Sequence, residues 1–389
     1  MPADKMETFA AYTAAADRYR HWITAAALPF WATRGRDERH GGSIERVEAD
    51  GSIDRSVPTR VRVQARQIFV YAAADELGCY AAAHQTTESL WRFLESYCRC
   101  EHRAGYGHTV LWPDGPNDGR LDLYDHAFYL LATAWYFRTR RDPAAKLNAE
   151  AIVTMLDARL AHSSGGWLEG DYDAPWRRQN PHMHLFEAFM AWFEATHEQQ
   201  WLDRAAAIYA LFERVFFDAD HGLVLEYFRT DWSRPESASD NAAEPGHLLE
   251  WVWLLDWYQR LAGVDTEAMQ VRLFETAVST GLDKGVLIDT LNVDGSQRER
   301  TRRLWPMTEY IKASCVRVSR GDDTALAHAT QAINALLEAF RLSPEGTYVD
   351  RLDTDNRVTD ARAPVSSLYH LMAAYLEIER LGDVSLPPR

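Results

Sequence analysis

AFYLLATAWYF, residues 127 to 137, presents an apolar side chain on nearly every face that a helix can offer. WVWLLDWY (251–258) and LYHLMAAYL (368–376) read the same way. A helix apolar all round is buried on most of its surface. Other stretches keep only one apolar face, such as Ile208, Leu211, Phe212 and Val215, or Ile333, Leu336, Leu337 and Phe340. Those spacings describe amphipathic helices with a wet side. The two kinds alternate along the chain, so buried inner helices take turns with outer ones.

A repeat organises that alternation. Gly42, Gly105, Gly166, Gly222, Gly285 and Gly346 recur at intervals of about 60 residues, which marks about six two-helix units. Each glycine is expected to supply a left-handed cap where an outer helix ends. Polar stretches follow, as at 42–56, 166–180 and 346–360; loops of that length inside a compact domain usually carry function. Pro58, Pro181, Pro245, Pro306 and Pro364 are expected near the first turns of the inner helices, where a missing N–H costs nothing. The expected fold is all-α, about twelve helices in one domain over residues 1–389, closed as an (α/α)6 barrel or left open as a solenoid.

Composition narrows the partners. The chain has 389 residues, 42 Lys and Arg against 57 Asp and Glu, and a formal net charge of -15. Such a surface repels phosphate backbones and anionic lipid, which argues against nucleic acid or a membrane surface as partner. Cys79, Cys98, Cys100 and Cys315 form no CxxC pair and read as small buried residues in a reducing compartment. The N-terminus shows no apolar signal segment and no apolar run is long enough to span a bilayer, so the expected location is cytoplasmic. No Walker loop, GxGxxG or GxSxG is present.

The inner helices nevertheless carry polar residues. Arg66 lies in QARQIFVY, His126 in YDHAF, His184 and Glu187 in NPHMHLFEA, His247 and Glu250 in EPGHLLEW, Glu309 in WPMTEY and His370 in LYH. Most fall in the first two turns, so one end of the barrel is expected to gather histidines, carboxylates and an arginine. Burying so many polar groups is costly unless they are paired or used. His184-x-x-Glu187 and His247-x-x-Glu250 place each pair on one helix face. Di-iron bundles use the reverse order, and the zincin His-Glu-x-x-His is absent, so acid/base chemistry is expected rather than a metal or other cofactor. His247, in the first turn after Pro245, is expected to be neutral, because the positive helix N-terminus disfavours imidazolium. A neutral imidazole can take a proton near neutral pH.

Taken in order, Arg66, YDHAF, NPHMHLFEA, PGHLLEW, WPMTE and LYH resemble the N-acylglucosamine 2-epimerase superfamily from about residue 58 to 376. The resemblance implies an (α/α)6 barrel and metal-independent proton transfer on a reducing sugar. It implies that His247 and His370 are the catalytic pair and that Arg66 binds substrate oxygens. His184 would position the sugar or assist ring opening, Glu250 and Glu309 would orient groups, and Trp305 would face the sugar. Tyr124 and Asn180 are further expected contacts. YDHAF, and the apolar Leu371-Met372-Ala373-Ala374 after His370, look more like the mannose isomerases of the family than its acylglucosamine or cellobiose epimerases. Leu304 stands where many relatives have a second Trp. The expected reaction is interconversion of mannose and fructose through a cis-enediolate, with 2-epimerisation as the alternative. A glycoside hydrolase needs a carboxylate pair and would leave the histidines idle; a non-catalytic sugar-binding protein would leave them all idle. The expected partner is a monosaccharide, and the reading leaves room for a homodimer.

Overall fold

A computed structural model describes residues 3–37, 39–111, 115–342 and 344–385. Outer helix α1 (Ala3–Trp22) passes through a π-turn at Ile23–Ala27 into the short α2 (Leu28–Thr33). Then come inner α3 (Val61–Glu76), outer α4 (Ala83–Tyr97), inner α5 (Leu123–Arg140) and outer α6 (Pro143–Arg159). Inner α7 (Gln179–Thr196), outer α8 (Gln199–Leu211), inner α9 (Pro245–Ala262) and outer α10 (Glu267–Gly281) follow. Inner α11 (Trp305–Ser319), outer α12 (Ala325–Ala339) and inner α13 (Leu368–Ser385) complete the series.

Neighbouring inner helices pack on one another around the ring. α13 packs against both α11 and α3, and α1 against α12, so the ring closes and the chain is an (α/α)6 barrel rather than an open solenoid. Aromatic rings weld the two layers. Trp192 of α7 stacks on Trp201 of α8 at 5.1 Å between centroids, and Trp251 of α9 lies 4.2 Å from Phe212. Such pairs add about 0.5–1.5 kcal/mol each beyond the area they bury. Among the described residues, no helix is long and apolar enough to cross a membrane.

Three sequence expectations need correction. The long polar stretches are not pure loop. They carry antiparallel pairs of very short strands, such as Thr59–Arg60 against Thr109–Leu111 and Arg302–Arg303 against Arg351–Leu352. Their backbone groups need partners, and pairing loop to loop at the rim supplies them. The repeat glycines do not cap helices. They lie a few residues beyond, closing the turn of a small antiparallel bridge, as Gly105 does between Arg99 and Tyr106 and Gly166 between Ala161 and Trp167. In the first unit Gly41, not Gly42, takes the positive φ. Left-handed caps occur instead where inner helices end, at Arg141, His197 and Gly263. Pro245 and Pro306 do sit in a first turn, but Pro364 lies in a short strand ahead of its helix.

Gly105 and Gly166 also explain two buried histidines. A Cβ on Gly105 would lie 2.6 Å from His126 Nε2, and one on Gly166 would lie 2.7 Å from His182 Nε2. Each imidazole faces the carbonyl one turn back through Nδ1, His126 to Asp122 at 2.7 Å and His182 to Arg178 at 3.1 Å. Burial holds both well below the ordinary imidazole range, His126 at about 4 and His182 at about 3. These are neutral packing residues. His126 therefore does not join the functional cluster in which its place in an inner helix had put it.

Candidate active site

A cavity of about 310 Å³ opens at the barrel end where the inner helices begin. Arg66 of α3, Asn180 and His184 of α7, His247 and Glu250 of α9, and His370 of α13 line it. Tyr124 of α5 and Trp305 of α11 complete the wall, and Glu309 sits beneath, against His370. Nine of the side chains singled out in the sequence thus meet in one place, and His126 does not join them. They come together because each lies within the first two turns of an inner helix, and the ring points those turns inward.

The two histidines differ in their surroundings. Both lie against the Trp305 indole in tilted contacts, His247 at 4.9 Å and His370 at 5.6 Å between centroids. His247 Nδ1 lies 2.7 Å from Glu226 Oε1 and 3.9 Å from Glu244 Oε2. Burial alone would favour the neutral ring, but the two carboxylates outweigh it and hold the imidazole at about 9. The expectation of a neutral His247 is overturned: at neutral pH it is a cation. Its Nε2 lies 3.2 Å from the Asn180 amide nitrogen, while Asn180 Oδ1 is buried without a partner. Turning the amide over lets that oxygen accept from the Nε2–H and satisfies both groups.

His370 is pushed the other way. Burial, then the charges of Arg66 and Lys312, hold it well below the ordinary imidazole range. It is neutral, with Nδ1 3.0 Å from Glu309 Oε1. An ionised Glu309 accepts the Nδ1–H, which leaves the lone pair on Nε2. Two imidazoles on one indole, one charged and one neutral, are a ready acid and base.

The remaining residues form a buried polar floor. Arg66 donates to the Tyr124 hydroxyl at 2.7 Å and lies over the Phe128 ring at 4.0 Å, while its Nε has no partner. His184 Nδ1 is 3.1 Å from Glu187 Oε2, and Tyr369 donates to the same carboxylate at 2.6 Å. Glu250 Oε1 has no partner; burial and then the charge of Glu309 raise its carboxyl well above the usual range. Glu250, Glu309 and His370 bring ligand-type atoms within 4.8 Å of one another, as do His184, Glu187 and Glu250. The Lys312 ammonium already lies 2.5 Å from Glu309, so the chain supplies its own cation there.

Sequence reasoning missed Glu226, which decides the state of His247. It lies between the short strands Leu223–Val224 and Tyr227–Phe228, where no periodic signal exists. It also missed Lys312, which was legible: a lysine three residues after Glu309 shares its face of an inner helix and is buried with it.

The family model described as N-acylglucosamine 2-epimerase matches residues 42–374. A protein of Rhizobium meliloti (strain 1021) named mannose-6-phosphate isomerase is 33% identical over 92% of this chain and 95% of its own length. A D-mannose isomerase of Thermobifida fusca is 29% identical over 54% of this chain and 57% of its own length. Among solved structures, a D-mannose isomerase superposes with a TM-score of 0.83 at 21% identity, covering 98% of this chain and 99% of its own. Cellobiose 2-epimerase from Bacillus thermoamylovorans B4167 gives 0.86 at 20% identity, covering 94% and 99%.

Proposed function

The chain belongs to the N-acylglucosamine 2-epimerase family and is an enzyme of the sugar isomerase or epimerase kind, and from that premise we propose that it interconverts D-mannose and D-fructose, with His370 as base and His247 as acid. The observation that carries the reading is the opposite charge state of two imidazoles held against one indole.

The sugar lies against Trp305 and its ring opens, helped by His184. His370 Nε2 takes the proton from C2 while the His247 imidazolium gives one to the carbonyl oxygen at C1. The product is a cis-enediol, and Arg66, whose Nε is free, stabilises the oxygen charge that develops on the way. His247 then takes the proton from the hydroxyl on C2, and His370 returns its proton to C1, giving the ketose. Every proton moved is restored, and no metal or cofactor takes part. In 2-epimerisation the proton would return to C2 from the opposite face, with the His247 imidazolium giving its proton to carbon rather than to the carbonyl oxygen.

A second reading runs the same chemistry on mannose carrying a phosphate. Arg351 favours it: the side chain is 62% exposed, lines the cavity, and has its ion-pair partner Asp350 at 3.9 Å. The name of the Rhizobium relative points the same way.

The test is replacement of each histidine. His247→Ala and His370→Ala should each lower kcat at least about a hundredfold, the scale of lost acid/base catalysis, with the fold intact. Near-native turnover by either variant would show that its histidine has another role.

A further inference from the structure

Beneath the two histidines lies a lysine to which the reaction scheme gives no part. Lys312 is fully buried on α11, its Nζ 2.5 Å from Glu309 Oε2 and 3.6 Å from the centroid of the Trp253 ring. Three glutamates converge there, Glu309 on the same helix, Glu250 on α9 and Glu187 on α7. Tyr369 on α13 faces the same three glutamates, and His370 on α13 feels the charges of Arg66 on α3, Lys312 itself and His184 on α7. A lysine so placed is expensive unless its charge is used, because three carboxylates could instead share protons among themselves. Burial lifts the Glu309 carboxyl above its ordinary value, and the Lys312 charge is the largest influence pulling it back down.

We propose that Lys312 is a positioning residue that keeps Glu309 ionised, so that Glu309 accepts the Nδ1–H of His370 and fixes the tautomer whose Nε2 can act as base. Glu309 Oε2 faces Lys312 and Oε1 faces His370, so one carboxylate spans the two. Glu309 is the carboxylate in direct ion-pair contact with Lys312, so the two charges offset each other in the buried floor. Take Lys312 away and that balance fails. Glu309 then gains a proton, either keeping it and offering it to His370 Nδ1, which moves the ring hydrogen to Nε2, or passing it on to make the ring a cation. Either way the Nε2 lone pair is lost while the cavity wall, to which Lys312 does not contribute, keeps its shape. This inference rests on His370 being the base.

Nitrogen NMR of histidine-labelled protein tests it without needing turnover, the His370 signals being assigned by their absence in His370→Ala. In the unaltered protein His370 should be the neutral Nδ1–H tautomer at neutral pH; the Nε2–H tautomer or an imidazolium would overturn the proposal. Lys312→Met should convert it to one of those two forms and lower kcat about a hundredfold, the scale of a lost base, with KM little changed. Combining Glu309→Gln with Lys312→Met removes both charges together, which spares the fold, and the new amide oxygen can still accept from Nδ1–H. That double variant should recover the Nδ1–H tautomer and at least about tenfold in kcat over Lys312→Met. A double variant that keeps the wrong tautomer, or a Lys312→Met protein with native tautomer and turnover, would refute the role. Turnover surviving in His370→Ala would instead remove the base assignment itself, an outcome the tautomer measurement does not depend on.

Discussion

Replacing Glu226 by Gln should shift the pH range of activity rather than abolish it. The carboxylate lies 2.7 Å from His247 Nδ1 in a site where both side chains are about 95% shielded from water, so the charge acts with little screening. It is the first of the groups that lift the imidazole against burial to about 9. Without that charge the imidazole should fall to the ordinary value of about 6.5 or below, a change of about 3 kcal/mol in proton affinity. Gln keeps an oxygen to accept from Nδ1, so the ring stays in place. At about pH 8 the cation fraction should then drop from about nine-tenths to about three-hundredths, roughly a thirtyfold loss of kcat/KM. Near about pH 6 most of the activity should remain, because His247 is still largely charged. The sign follows from the role: an acid must be protonated, so activity fails as pH rises through its pKa, near 9 in the native enzyme. The assay is kcat/KM for mannose from about pH 5.5 to 9.5, read for the position of the alkaline limb. An unmoved alkaline limb, or an equal loss at every pH, would refute the assignment of His247 as the acid.

Dialysis against a strong chelator should leave activity unchanged, since the scheme asks nothing of a metal; loss restored by a divalent ion would replace the acid/base account with Lewis-acid chemistry. Gly166→Ala should lower the urea midpoint by the equivalent of about 1–2 kcal/mol from the left-handed backbone alone, and further because the new Cβ meets His182 Nε2 at 2.7 Å. Its kcat should stay native, because His182 packs the core and touches no substrate; a large fall in kcat at full occupancy of the native state would contradict that.

Much of this is legible in the sequence. A stretch such as residues 127–137 has no polar face, so its helix has to be enclosed by a second helical layer, whereas closure into a ring shows only in the packing of α13 on α3. For the same reason a charged or imidazole side chain in the first turns of such helices stands out. His247, His370 and Glu309 are visible on that ground. His126 stands out equally and is wrongly grouped with them, because the sequence does not show that its Nδ1 turns back to the Asp122 carbonyl. The charge state of His247 shows why local reasoning failed. A helix N-terminus disfavours the cation by about 0.3–1 kcal/mol. A carboxylate at 2.7 Å, delivered by a loop twenty-one positions earlier, is worth several times more and wins. No periodicity marks Glu226, so its arrival depends on how the rim strands pair.

Mannose incubated with the enzyme in D2O and followed by NMR tests the central claim most directly. The account predicts fructose as the first product, carrying deuterium at C1 to the extent that His370 exchanges with solvent while the enediol persists, with glucose late and minor. Glucose appearing first, deuterated at C2, would contradict it and make the enzyme a 2-epimerase.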